Sequence, residues 1–325
     1  MERWIWVQDY HSTGIFQSAE TARALLDRLA GKFTDLLVTV RSDSDGRSYF
    51  NSELYRLRPE RLDGLMPGAF LIREAAARGM RVHAWLYTGF FGSYTELLDP
   101  PPASWNMATL SDARCNTREW INFSVPGARE MIANVCGDLA ESNAGLAGVH
   151  LDYLRLHHTQ SECPAVTPGH ITETLRMARQ AVGVQQVTVT ISGLEYRNTS
   201  VMRDVPLWLR EGLVSAALMM SYTSATLDER VAYAKSLPAS HLIIPGVPSY
   251  RPDTDAPEQA ELSAHIQRWA DEGYTSLAVF DSTSLDDDDL EVLGDLPVEP
   301  EPPSIIKTFS IYIPAMTVEV RVGSG

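Results

Sequence analysis

The chain has 325 residues, 44% hydrophobic, 21% charged and 9% aromatic, the balance of a folded globular protein, which excludes a disordered polymer. Acidic residues outnumber basic ones by 42 to 27, and the formal charge of -15 gives a surface that repels polyphosphate, which excludes nucleic acid as the partner. No segment is long and apolar enough for membrane insertion.

In chain order, short apolar runs alternate with amphipathic ones, the pattern of parallel strands joined by crossover helices. Residues 4–8 open the series. This run begins almost at Met1 and leaves no room for a charged region followed by an apolar signal core, so synthesis in the cytoplasm without a signal peptide is expected. Further strands are predicted at 35–41, 81–87, 148–155, 187–192, 215–222, 242–247 and 276–281. Leu218-Met219-Met220 and Leu242-Ile243-Ile244 are apolar on both faces, which suits strands enclosed between a barrel interior and surrounding helices. Between the strands, Ser18 precedes a helical run at 19–30 followed by Gly31, Gly79 ends one at 68–78, and Thr167-Pro168 opens another. Thr226 to Glu229 and Asp255 to Glu258 have capping-box spacing. Eight strands in this alternation predict a (β/α)8 barrel over residues 1–296, a fold that commonly takes about 250 residues.

Two stretches break the rhythm. Residues 89–123 form a long insertion after the third strand, carrying Tyr94, Trp105 and Trp120, and a loop of that length on a barrel is more often functional than accidental. Residues 297–303, four of them proline, read as a semi-rigid linker that ends the barrel. Beyond it, residues 304–325 alternate as a short C-terminal β-hairpin with Phe309, Ile311 and Ile313 on one face and Val318, Val320 and Val322 on one face of the next run. A lone hairpin is marginal in water, so this one is expected to bury against partner subunits, as a homo-oligomer or part of a larger particle, or to fold back on the barrel bottom. Cys115, Cys136 and Cys163 are odd in number and widely spaced, which predicts free thiols and neither a zinc site nor a disulfide framework.

In parallel barrels the reacting groups sit at the carboxyl ends of strands. The fourth strand, Gly148 to Arg155, puts His150 and Asp152 on one face and Val149, Leu151 and Tyr153 on the other, so Asp152 points into the mouth. Asp152 is thus the first catalytic candidate; the structural alternative is a carboxylate bonded to Arg155 or to loop amides. The fifth strand leads to Glu195, a second acid of the kind glycosidic cleavage needs, or else a solvated loop residue. Candidate substrate contacts are Arg41 and Asp43 after the second strand, His83, Trp85 and Tyr87 along one face of the third, His150 and Arg155 on the fourth, Tyr222 after the sixth and Asp281 after the eighth. For Asp43 the plainer alternative is a polar turn at Gly46, and for Trp85 and His83 it is filling of the barrel. No strand-end set has metal-site spacing, and there is no phosphate-cradling glycine loop, nucleophile elbow or strand-end lysine, so neither metal nor cofactor is expected.

Gly148-Val149-His150-Leu151-Asp152-Tyr153-Leu154-Arg155 resembles the "GIHLDYIR" strand of the bacterial glycosyl-hydrolase-like TIM-barrel family. Trp120-Ile121-Asn122-Phe123 is similar to that family's "W-L-N-P", with Phe123 where proline is usual. Val40 to Asp45, with Tyr49 and Ser52, resembles its "VR-GDA-Y-S" segment, and Met220-Ser221-Tyr222 its "M-Y". The resemblance implies a sugar-polymer hydrolase fold with Asp152 as catalytic acid; Glu195 has no clear counterpart in it. Two functions are expected from these residues: cleavage of O-glycosidic bonds in a bacterial surface or exopolysaccharide by paired carboxylates, or carbohydrate binding without catalysis in a phage or phage-like particle that acts outside the cell.

Overall fold

The structure is a computed structural model that describes residues 2–8, 15–42, 45–249, 258–282, 285, 287–294, 309–313 and 316–320. Eight parallel strands close a barrel in sequential order: β1 Arg3–Val7, β2 Asp35–Thr39, β3 Arg81–Tyr87, β4 Gly148–Asp152, β5 Gln186–Ser192, β6 Ala216–Met220, β7 Ile243–Pro248 and β8 Leu277–Phe280, with β8 returning to β1. Each predicted strand is present. The surrounding helices are α1 Ala19–Leu29, α2 Pro67–Ala76, α3 Pro126–Ser142, α4 Pro168–Val182, α5 Glu195–Ser200, α6 Val205–Arg210, α7 Leu227–Ser236, α8 Glu258–Ala270 and α9 Asp287–Gly294.

The start signals read in the sequence act through named hydrogen bonds. Ser18 Oγ accepts from the Thr21 amide at 3.0 Å to begin α1, and Thr167 with His170 forms a capping box at α4. Thr226 caps α7 by position only, without a side-chain bond, and residues 255–257 lie outside the described residues. Among the described residues no helix is long and apolar enough to cross a membrane.

Alternation along the strands divides the apolar side chains into two cores. Outward residues such as Val38, Val82, Val149, Leu151, Val189 and Met219 pack under the helices. Inward residues Trp4, Trp6, Leu37, Trp85, Leu218, Ile244 and Ala278 fill the barrel, with Tyr87 and Phe280 above them. Three indoles stand among the aliphatics of this filling, in positions that branched aliphatics take in many barrels. Two imidazoles sit among the indoles: His83 lies 4.6 Å from Trp4, and His150 meets Trp6 edge to face at 5.8 Å.

Strands β9 Phe309–Ile313 and β10 Met316–Val320 pair antiparallel as the predicted hairpin, with Ile311 opposite Val318. The expected linker at 297–303 lies outside the described residues.

One expectation is corrected. Cys115 and Cys163 form a disulfide, with Cα atoms 4.8 Å apart, and only Cys136 is a free, buried thiol. Forty-eight residues separate the two in sequence, but one lies in the β3–α3 insertion and the other in the β4–α4 loop. Those loops leave neighbouring strands at the same end of the barrel, so the closure brings together what spacing alone kept apart. Gln160 adds to the seam by donating through Nε2 to the carbonyls of Cys115 and Arg118.

Candidate active site

Asp152 ends β4 on the inward face and is 9% exposed. Its Oδ1 accepts from the Tyr153 amide at 2.7 Å and its Oδ2 from Trp85 Nε1 at 3.2 Å, and the nearby Thr190 hydroxyl favours the ionised form. Burial pushes the carboxyl above the usual Asp range, against the opposing pull of the Tyr153 amide and the charges of Arg203 and Arg155. The group therefore favours the protonated state more than a solvated Asp does, as a proton donor at a barrel mouth requires.

Beneath it, His150 is wholly buried and both ring nitrogens are engaged, Nδ1 with Thr188 Oγ1 at 2.9 Å and Nε2 with Thr190 Oγ1 at 2.8 Å. Burial and the nearby His83 drive its pKa well below the ordinary value, so the ring is neutral. His150, expected as a substrate contact, is instead a support: it holds Thr188 and Thr190 on the neighbouring β5.

His83 shares the inward face with Trp85 and Tyr87, as expected, but at a different depth. It stands near the start of β3, wholly buried, with Nε2 2.8 Å from Asp35 Oδ1. Arg81 donates to the same carboxylate at 2.8 Å. Two residues along a strand is about 6.6 Å, so the right parity placed His83 at the floor while Trp85 and Tyr87 reached the mouth. Tyr87 lies opposite Asp152 in the β3–β4 register and meets Trp85 at 4.9 Å and Tyr153 at 5.8 Å, both edge to face.

The long insertion is folded back over this site. Trp120 packs against Phe90 and Tyr153, and its indole nitrogen donates to the Arg155 carbonyl. Arg155 spreads over the Trp120 and Tyr153 rings at 5.5 and 5.0 Å and donates to the Leu156 carbonyl at 2.8 Å. A side chain at Gly89 would lie 2.4 Å from the Trp120 ring, so only glycine lets the indole seat there. Gly89→Ala is expected to displace Trp120 at a cost of about 1–3 kcal/mol, read as a lower denaturation midpoint with an altered tryptophan emission spectrum.

The remaining candidates ring the mouth unevenly. Asp281 follows β8, is 5% exposed, and accepts from Gln8 Nε2 at 3.3 Å; Gln8 continues the inward series of Trp4 and Trp6. Tyr222 is half-buried, stacked on Phe280 at 5.6 Å. Arg41 follows β2, half-buried beside Gly46, and its charge reaches the Tyr55 hydroxyl. Asp43 lies outside the described residues. Glu195 starts α5, where the chain has turned outward; it is exposed in a recess that also takes in Pro168, Asn198 and Tyr233. The structure thus gathers Asp152, Trp85, Tyr87 and Arg155 by contact, and sets Glu195 on the outer flank.

Sequence reading missed Thr190, Gln8, Arg197 and Arg203. Thr188 and Thr190 alternate on β5 at inward positions, a polar pair that could have been paired with His150 across the β4–β5 register. A larger cavity of about 530 Å³ lies away from the strand ends, between residues 97–102 and α3, and holds none of the strand-end candidates.

No protein-family model matches the chain, and no curated protein sequence does. Solved structures do. The PgaB (BpsB) glycoside hydrolase domain from Bordetella bronchiseptica is 15% identical with a TM-score of 0.62, covering 91% of this chain and 98% of that one. A chitinase from Chromobacterium violaceum is 10% identical with a TM-score of 0.57, covering 90% and 97%. The spore cortex-lytic enzyme SleL of Bacillus cereus is 10% identical with a TM-score of 0.56, covering 93% and 75%. At such low identity the likeness is one of fold: this chain is a closed (β/α)8 barrel, and these solved structures share that architecture.

Proposed function

We propose that the protein is a glycoside hydrolase that cleaves O-glycosidic bonds of a bacterial surface or exopolysaccharide, with Asp152 as the general acid. The observation that carries this reading is a buried carboxyl at the end of β4, held by Trp85 and the Tyr153 amide, whose pKa burial raises. Solved structures of the same fold named for glycan-cleaving activities support it, as do the rings of Trp85 and Tyr87, whose faces suit the apolar side of a sugar.

Asp152 would hold its proton toward the glycosidic oxygen and release it as the leaving group departs, while a second carboxylate stabilises or attacks from the opposite side. Glu195 is the partner expected from chain order. Burial favours Asp281 instead, because it stands just after β8, opposite β4 in the barrel, bonded to an inward side chain, whereas Glu195 faces solvent. Turnover assays on purified bacterial polysaccharides separate the two: Asp281→Asn is expected to lower kcat about 100-fold or more, with Glu195→Gln within about threefold of wild type. The reverse order would return Glu195 to the role.

The Cys115–Cys163 disulfide supports action in an oxidising compartment outside the cytoplasm. The exposure of Glu195 favours a second reading, a carbohydrate-binding barrel without catalysis in a phage-like particle, for which binding without turnover over long incubation is the distinguishing result. In either case the hairpin would be the attachment element. Deleting residues 304–325 should then abolish oligomerisation or particle attachment and leave the barrel's melting intact; a monomeric parent that loses thermal stability on deletion would contradict it.

A further inference from the structure

The ends of β4, β5 and β6 open into a pocket of about 420 Å³ lined by Arg155, Arg197 and Arg203, with His158 and the hydroxyl residues Ser192 and Ser200. No carboxylate is among its described lining residues. In a chain with 42 acids to 27 bases, three guanidinium groups at one pocket run against the composition. None of the three makes an ion pair among the described residues; their hydrogen-bond partners are neutral.

Arg203 is the decisive member. It is 4% exposed, its Nε donates to the Leu154 carbonyl at 3.3 Å and one Nη to Asn198 Oδ1 at 3.4 Å, and its other Nη has no partner among the described residues. A buried guanidinium with an unused donor is costly unless an anion meets it. Burial and the like charge of Arg155 push its pKa down to about 9, so it is still a cation at neutral pH. Asp152 attracts both Arg155 and Arg203, but one carboxyl against three guanidinium groups leaves the pocket positive. Arg155 is already fixed in direction by the rings of Trp120 and Tyr153, and Arg197 lies at the exposed edge, stacked on Tyr196.

We propose that this pocket is a subsite for an anionic group carried by the substrate sugar, a uronic-acid carboxylate or a phosphate ester, bound by Arg203 and Arg155 with Arg197 closing from the outside. Planar guanidinium forks match the paired oxygens of either group. The inference rests on the glycan reading of the neighbouring Asp152 site and narrows its substrate to an acidic polysaccharide.

Calorimetric titration of the full chain at fixed ionic strength and neutral pH tests it with D-glucuronate, glucose 6-phosphate and D-glucose, none of which needs turnover. At least one anion should bind about tenfold or more tightly than glucose. Arg203→Gln and Arg197→Gln should each weaken that anion about fivefold or more, and the exposed Arg197 variant keeps the test valid if the buried one fails to fold. Preference for glucuronate identifies the carboxylate, and preference for glucose 6-phosphate the phosphate ester. Anions that bind no better than glucose, or no loss in Arg197→Gln, overturn the subsite. Hydrolysis of a neutral polymer without anion binding would sink this proposal alone, whereas anion binding without hydrolysis would sink only the catalytic reading.

Discussion

Asp152→Asn is expected to reduce glycan turnover by roughly 10²- to 10⁴-fold while circular dichroism stays that of the folded barrel. The amide keeps the size of the carboxyl but has no proton to deliver. The same variant carries a second, independent signature in its stability. Folding raises the Asp152 pKa above its unfolded value near 3.9, so between the two values the folded state keeps a proton that the unfolded state has lost. The contribution of this group to stability is therefore fully present below the unfolded pKa and declines as pH rises through the raised one. The Asn variant has no such titration. Whatever constant offset follows from presenting an amide to both Trp85 Nε1 and the Tyr153 amide, the melting temperature of the variant relative to wild type should climb from acidic to neutral pH. A pH-independent difference would show that burial does not perturb the group.

Cys163→Ser is expected to destabilise the fold by about 4 kcal/mol on the chain-entropy estimate for a loop of this length, and to lower the melting temperature by several degrees. The bond ties the β3–α3 insertion, which delivers Trp120, to the β4–α4 loop beyond Arg155. Its loss should therefore raise KM for the glycan along with the stability change. Reducing agent should reproduce both effects in the wild-type protein and neither in the variant. Equal melting temperatures with and without reductant would mean that the insertion is held by its hydrogen bonds and ring contacts alone.

The barrel was legible because buried parallel strands leave short apolar runs in the chain and the helices between them amphipathic ones, and each of the eight strands leaves such a run. Face was legible too: period-two alternation put His150 with Asp152 and His83 with Trp85 and Tyr87. Depth was not, since parity is the same at floor and mouth, and His83 turned out to serve the floor beside Asp35. The disulfide was hidden because its two cysteines meet only after adjacent loops are brought together by strand order. Arg203 was hidden for a related reason. It lies between α5 and α6, in a stretch without a motif, and its meaning comes from burial and from an unused donor, neither of which a sequence records. Glu195 stood next to a strand end on paper, but the chain turns into α5 at that residue and carries the side chain out to solvent.

Asp152 as a buried, proton-holding acid is the claim on which the functional account stands, and titration of its carboxyl carbon by ¹³C NMR tests it most directly, with Asp152→Asn used to assign the resonance. A midpoint above about 3.9 is the predicted result. A midpoint at or below that value would contradict it, since the neighbouring arginines and the Tyr153 amide would then outweigh burial and leave an ionised, structural carboxylate.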